Sequence, residues 1–79
     1  MFNSYMTPAG KYSLTLGQKR HYNIPLQAES YTFIWDHVSE DQCADMVKFL
    51  KDDGFIIVDQ KLDDANSPAR DFSVTAYRK

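Results

Sequence analysis

Two side chains in this chain of 79 residues could begin covalent or acid–base chemistry: the thiol of Cys43 and the imidazole of His37. A cysteine reacts as its thiolate, and a helix N-terminus favours that form. Cys43 follows a helix-start signal at Ser39 by four residues, so it has that advantage. It also falls in line with Met46, Val47 and Leu50, at i, i+3, i+4 and i+7, the apolar stripe of the same helix. A small buried hydrophobe is the ordinary occupant of such a position, and the sequence assigns Cys43 to packing. No histidine stands where it would be expected beside it. His37 lies among Asp36, Glu40 and Asp41, which invites a metal or acid–base role. The spacing matches no ligand motif, and the carboxylates already serve the helix start. His21 follows Lys19 and Arg20 and reads as an exposed residue.

The adjacent carboxylates Glu40-Asp41, Asp52-Asp53 and Asp63-Asp64 resemble acid/base pairs only on paper. Neighbouring residues on a helix do not face one another, and each pair falls at a helix end or in a loop. Gly10, Gly17 and Gly54 are too far apart for a phosphate-binding loop. No serine sits in a nucleophile elbow. The sequence therefore carries no catalytic residue, no metal ligand set and no cofactor motif.

Charge is unevenly placed. The net charge is −2. Residues 1–30 hold Lys11, Lys19 and Arg20 against Glu29, while the carboxylates Asp36, Glu40, Asp41, Asp45, Asp52, Asp53, Asp59, Asp63, Asp64 and Asp71 all follow. Two surfaces come out of this split. Lys11, Lys19, Arg20 and Tyr22 could hold phosphates and stack a base, a thin nucleic-acid patch on an acidic chain. Alternatively Tyr12, Arg20 and Tyr22, together with Asp41, Asp45 and Asp52 on the helix, could dock onto another protein, including the basic groove of a nucleic-acid-binding complex. Lys48 and Lys51 dilute the acidic field of that helix.

These residues must be held by a small scaffold. Residues 1–10 read as a flexible N-terminal arm, punctuated by Pro8 and Gly10. Residues 11–79 read as one domain. Lys11–Leu16 alternates through Tyr12, Leu14 and Leu16, Gly17-Gln18-Lys19 reads as a turn, and Arg20–Leu26 alternates through Tyr22, Ile24 and Leu26. Together they predict a β-hairpin, with Pro25 placing its second strand at an edge or ending it. Tyr31–Val38, rich in aromatic and β-branched residues, predicts a third strand with both faces partly covered. Ser39 and Gln42 form a capping box, Glu40 and Asp41 suit the positive helix end, and Gly54 followed by Phe55 supplies a left-handed stop. Phe55–Leu62 and Asp71–Arg78 are strands around a turn at Asn66-Ser67-Pro68. The order expected is β-β-β-α-β-β: an α+β fold with a four- to five-stranded antiparallel or mixed sheet and one helix on one face. The last two strands should form a hairpin.

Hydrophobic residues make up 43 % of the chain, enough for a core. A domain this small retains roughly 3–5 kcal/mol of net stability, so a second copy of the chain, as a homodimer, would help. A lone cysteine excludes an intrachain disulfide and suits a reducing compartment. The longest apolar run, Phe55–Val58, is far too short to span a bilayer. No signal-peptide pattern is present at the N-terminus. A cytoplasmic protein with no membrane contact is the expectation. In size and composition the chain resembles the small inhibitors that phages and mobile elements encode against host machinery, anti-CRISPR-type proteins among them. That resemblance implies a non-enzymatic protein that acts by docking to another macromolecule, and it assigns no residue. Direct nucleic-acid binding is the alternative, and a small enzyme using Cys43 or His37 the third reading.

Overall fold

The structure, a computed structural model, describes residues 11–64, 66–68 and 70–78. The expected arm at residues 1–10 lies outside them. The elements run β1 (Lys11–Ser13), α1 (Leu16–His21), β2 (Glu29–Trp35), α2 (Glu40–Asp52), β3 (Ile56–Leu62) and β4 (Phe72–Arg78). The four strands form one antiparallel sheet in the order β1-β2-β4-β3. The fold is α+β, with α2 packed on one sheet face. β3 and β4 are adjacent and antiparallel, as expected of a hairpin, and β2 is internal.

The helix α2 is held at both ends by the signals that its sequence carries. Ser39 N–H donates to Gln42 Oε1 at 3.0 Å and Gln42 N–H donates to Ser39 Oγ at 3.4 Å. The box satisfies donors that the first turn leaves bare. At the other end Gly54 takes φ +94°. Phe55 N–H then reaches Leu50 O at 3.0 Å and Gly54 N–H reaches Lys51 O at 3.0 Å, the two bonds of a Schellman ending. The ending turns Phe55 back under the helix, where it is buried.

Between the caps, Met46 and Leu50 are fully buried against Phe33 and Trp35 of β2 and Phe72, Val74 and Ala76 of β4. Val38, just before the cap, joins this cluster, and Cys43 and Val47 pack at its margin. The register explains the choice of face: Trp35 stands opposite Phe72, Phe33 opposite Val74 and Tyr31 opposite Ala76. Trp35 and Phe72 stack with centroids 6.0 Å apart, and Phe55 meets Phe33 edge-on at 5.2 Å. Arg78 closes the cluster's rim. Its guanidinium lies 4.7 Å over the Phe55 ring and donates to Asp53 Oδ2 and Asp53 O, both at 3.3 Å.

The expected hairpin at residues 11–26 does not form. β1 stops at Ser13 and pairs with β2, Lys11 opposite Phe33 and Ser13 opposite Tyr31. Arg20–Leu26 contains no strand, and Leu16–His21 is a helix. The order is therefore β-α-β-α-β-β, not β-β-β-α-β-β. The physical reason is a second capping box. Thr15 N–H donates to Gln18 Oε1 at 3.0 Å, and Gln18 N–H donates to Thr15 Oγ1 at 3.4 Å. Lys19, Arg20 and His21 fall in the last turn, where cations suit the negative helix end. The alternation of Tyr12, Leu14 and Leu16 mimics a strand, while Thr15 and Gln18 fix a helix start inside it.

Residues 16–28 instead form a strap over the sheet face away from α2. Thr32 and Thr75 belong to that face, and their hydroxyls share a 3.2 Å hydrogen bond. Thr75 stands opposite Asp59 of β3, whose carboxylate accepts from Tyr22 Oη at 3.3 Å. Ile24 and Ala28 of the strap are buried apart from the α2 cluster, and Ser30 and Thr75 are buried with them.

The two glycines among the described residues give opposite expectations. Gly54→Ala forces a Cβ into the left-handed region and should cost about 1–2 kcal/mol. Gly17→Ala, in the first turn of α1 with open space around it, should leave stability unchanged or raise it by about 0.4–1 kcal/mol. Urea denaturation of the two variants checks both signs.

Candidate functional site

Three groups of side chains are candidates for chemistry, and the fold ties most of their members to structural partners. Cys43 is half-buried in the first turns of α2, and its Sγ–H donates to Ser39 O at 3.4 Å. Burial pushes its thiol above the ordinary value, and the nearby Glu40 carboxylate adds to this against the opposing pull of Arg70. A thiol raised in this way is a poor nucleophile at neutral pH. His37 sits in the turn between β2 and α2 at φ +54°, exposed, with Nδ1 3.4 Å from Asp36 Oδ2. No group of three or more potential metal ligands occurs among the described residues.

The adjacent carboxylates are divided between separate partners. Glu40 lies 3.6 Å from Arg70, and Asp52 accepts from Lys48 at 3.0 Å while Asp53 takes Arg78. Asp63 accepts from Asp71 N–H at 3.1 Å, and Asp64 from Asn66 N–H at 3.2 Å, an Asx turn. Among the described residues Asp41 has no such partner, and it sits in the first turn of α2, where a negative charge suits the helix end.

The basic patch is also dispersed. Lys19 Nζ donates to Leu26 O at 2.8 Å and Ala28 O at 2.5 Å, clamping the two ends of the strap together. Lys11 stands opposite Phe33 on the α2 side, its Nζ 4.5 Å over the Tyr31 ring. Tyr22 is tied to Asp59, and burial, with that carboxylate second, pushes its phenol up. Arg20 and His21 remain exposed in α1. Lys11, Lys19, Arg20 and Tyr22 thus do not share one surface.

The set Tyr12, Arg20, Tyr22, Asp41, Asp45 and Asp52 divides as well. Asp41, Asp45 and Asp52 run along one line of α2, with Lys48 completing it at i+7. Tyr12 stands opposite Thr32 and belongs to the other sheet face, with Tyr22 and Arg20 in the strap above it. On that face the structure adds Leu16, Leu26 and Ile56, which the sequence does not single out, to Tyr12, which it does. The four are 41–59 % exposed, and Ile56 stands opposite Tyr77 on the same side as Tyr12. Ile56 was hidden within the apolar run Phe55–Val58, where strand alternation buries Phe55 and turns its neighbour outward. Leu16 and Leu26 read in sequence as alternating strand residues of a hairpin that does not form.

Among the described residues no helix is long and apolar enough to cross a membrane. Comparison with protein-family models, with curated proteins and with solved structures finds no match to this chain.

The Cys43 environment yields a direct test. Its raised folded-state value means that the unfolded chain loses this proton first as pH rises. The associated stability is complete below the ordinary thiol value of about 8.5 and is lost as pH climbs through the folded value. Tyr22 acts in the same direction at higher pH. Alkylation of the native protein should show a pH midpoint above that of the denatured chain. Equal rates at pH 7 would show an armed thiol and return the enzyme reading.

Proposed function

We propose that this chain is a non-enzymatic binding protein that docks onto another protein, in the manner of the small inhibitors of host machinery that it resembles in size and composition. The observation that carries the reading is the exposed apolar set on the strap side. Tyr12 and Ile56 flank the sheet face, and Leu16 and Leu26 stand on the strap that crosses it. Apolar side chains grouped on one face and rimmed by polar residues are a recurrent mark of protein–protein contact, and tyrosine is a frequent anchor there. Arg20 and the exposed end of α1 supply the polar rim. The acidic line Asp41, Asp45 and Asp52 lies on α2, on the opposite side, and has a secondary role in steering a basic partner.

Two features weigh against the nucleic-acid reading. The Lys19 ammonium is committed to two main-chain carbonyls, and Lys11 lies across the sheet from the strap. The enzyme reading has the thiol and the imidazole in separate structural contacts.

The test is affinity capture with the tagged full chain, followed by isothermal titration with the protein recovered. Tyr12→Ser with Ile56→Ser should weaken binding about 10-fold or more while the fold survives. Asp41→Asn with Asp45→Asn should mainly slow association and reduce its salt dependence. Capture of nucleic acid alone, with affinity that collapses about 10³-fold between 50 and 200 mM salt and is lost in Lys19→Ala/Arg20→Ala, would replace this reading by the alternative.

A further inference from the structure

Among the described residues the sheet ends in two edges, β1 and β3. β1 is three residues long, whereas β3 presents seven. Asp63 N–H is bonded to Asp71 O across the hairpin at 2.9 Å. In an antiparallel ladder main-chain groups alternate, so those of Lys61 also point at β4 and those of Gln60 and Leu62 point out of the sheet. An open edge of this kind is a template for another strand. Edges are ordinarily guarded, and this one carries two guards, a bulge between Ile57 and Asp59 and the charged Lys61.

The charges on this edge do more than repel. Residues 59–61 read Asp-Gln-Lys, a sequence that is complementary to itself when reversed. We propose that β3 pairs antiparallel with β3 of a second copy of this chain, about a two-fold axis at Gln60, to form a closed dimer with one continuous eight-stranded sheet. In that register Asp59 of each copy stands opposite Lys61 of the other, twice, by symmetry. Val58 stands opposite Leu62, also twice, and both are half-buried in the single chain. The outward main-chain groups of Gln60 meet their own copies across the axis. Other arrangements do worse: an axis at Lys61 opposes Lys61 to itself and Asp59 to Asp63, an in-register parallel pairing opposes both charges to themselves, and an axis at Leu62, which also sets Lys61 opposite Asp63, carries half of the pairing beyond the end of β3. Lys61 therefore acts as a register selector as well as a guard.

The surroundings fit a strand at this position. A groove of about 450 Å³ runs between α2 and β3, lined by Ala44, Val47, Lys48, Lys51, Asp52 and Gln60. Gln60 and Leu62 stand opposite Val74 and Phe72, on the α2 side of the sheet. The second copy's Gln60 and Leu62 would project on the same side, beside that groove. Asp59 gives Tyr22 one oxygen, Oδ2, which leaves Oδ1 for the partner's lysine. The pairing is isologous and uses each long edge once, so it closes at two copies.

This inference rests on the β3 edge and is independent of the strap-side docking reading. Sedimentation equilibrium of the full chain between about 10 µM and 1 mM should show a concentration-dependent dimer, as expected of a small interface. Lys61→Asp and Asp59→Lys should each raise the dimer dissociation constant about tenfold or more. An equimolar mixture of the two variants should recover association as a heterodimer, because each opposed pair is again of opposite sign. Tyr22→Phe controls for loss of the strap contact, and circular dichroism for the fold. Gln60→Cys in a Cys43→Ser background should form a disulfide-linked dimer, since residues facing each other across a hydrogen-bonded pair have Cα atoms about 5.5 Å apart. A monomer at every concentration, or a dimer indifferent to Lys61→Asp, overturns the proposal. A monomer whose Gln60→Pro variant loses the captured partner assigns the edge to a strand of that partner, which rejects self-pairing and leaves the docking reading standing.

Discussion

The contact between α2 and the paired strands β2 and β4 is the constraint from which the rest of this molecule follows. Met46 and Leu50 lie against Phe33, Trp35, Phe72 and Val74, and both are almost fully removed from water. Truncating a buried leucine or methionine of this kind costs about 2–5 kcal/mol, comparable to the whole net stability of a domain this small. The helix is therefore committed to one face, and both its ends must be satisfied in place. The capping box sets where it begins, and Gly54 sets where the chain turns back. With Phe55 pulled under the helix and Ile56 turned to the other side, the two faces of β3 acquire different fates within one residue.

The same contact decides what the remaining residues can do. A single 13-residue helix covers one side of a four-stranded sheet. The other side carries the small polar residues Ser30, Thr32, Ser73 and Thr75 through its middle. It is sheltered by a strap that has little hydrophobic anchorage of its own. Ile24 and Ala28 provide most of that anchorage, and polar ties supplement it: Lys19 to the carbonyls of Leu26 and Ala28, Tyr22 to Asp59. Basic and aromatic groups that would look functional in a sequence are drawn into holding this segment down. The exposed apolar side chains are those that neither layer has room to cover.

The legible parts of the sequence were those in which local and tertiary demands agree. Around α2, cap, dipole, stripe and stop all point to one element, and its limits match the structure. β3 and β4 were legible for a similar reason, as alternating runs bounded by turn residues. The segment 11–26 was not, because two signals competed there. Alternation over Tyr12, Leu14 and Leu16 suggested a strand, and Thr15 with Gln18 encoded a helix start. The local hydrogen bonds of the box prevailed, since beyond Ser13 only Ser30 and Glu29 of β2 remained to reward an extended continuation. The structural roles of Cys43 and the carboxylate pairs followed from their positions on helix faces and ends. The exposure of Ile56, Leu16 and Leu26 did not, since periodicity indicates a side and only the assembled layers reveal which side is left bare.

The strand order has a consequence for how the chain is made. β4, the last strand in sequence, lies between β2 and β3, and it alone joins them. Until Phe72–Arg78 has left the ribosome, β2 has no neighbour on its inner side, β3 stands alone, and the underside of α2 has half its floor missing. Cotranslational folding can produce the helix and little beyond it, so the sheet closes in a single late step of high contact order. Shortening the chain before residue 72 would leave two unconnected fragments of sheet, whereas a change confined to the strap would leave the central ladder whole.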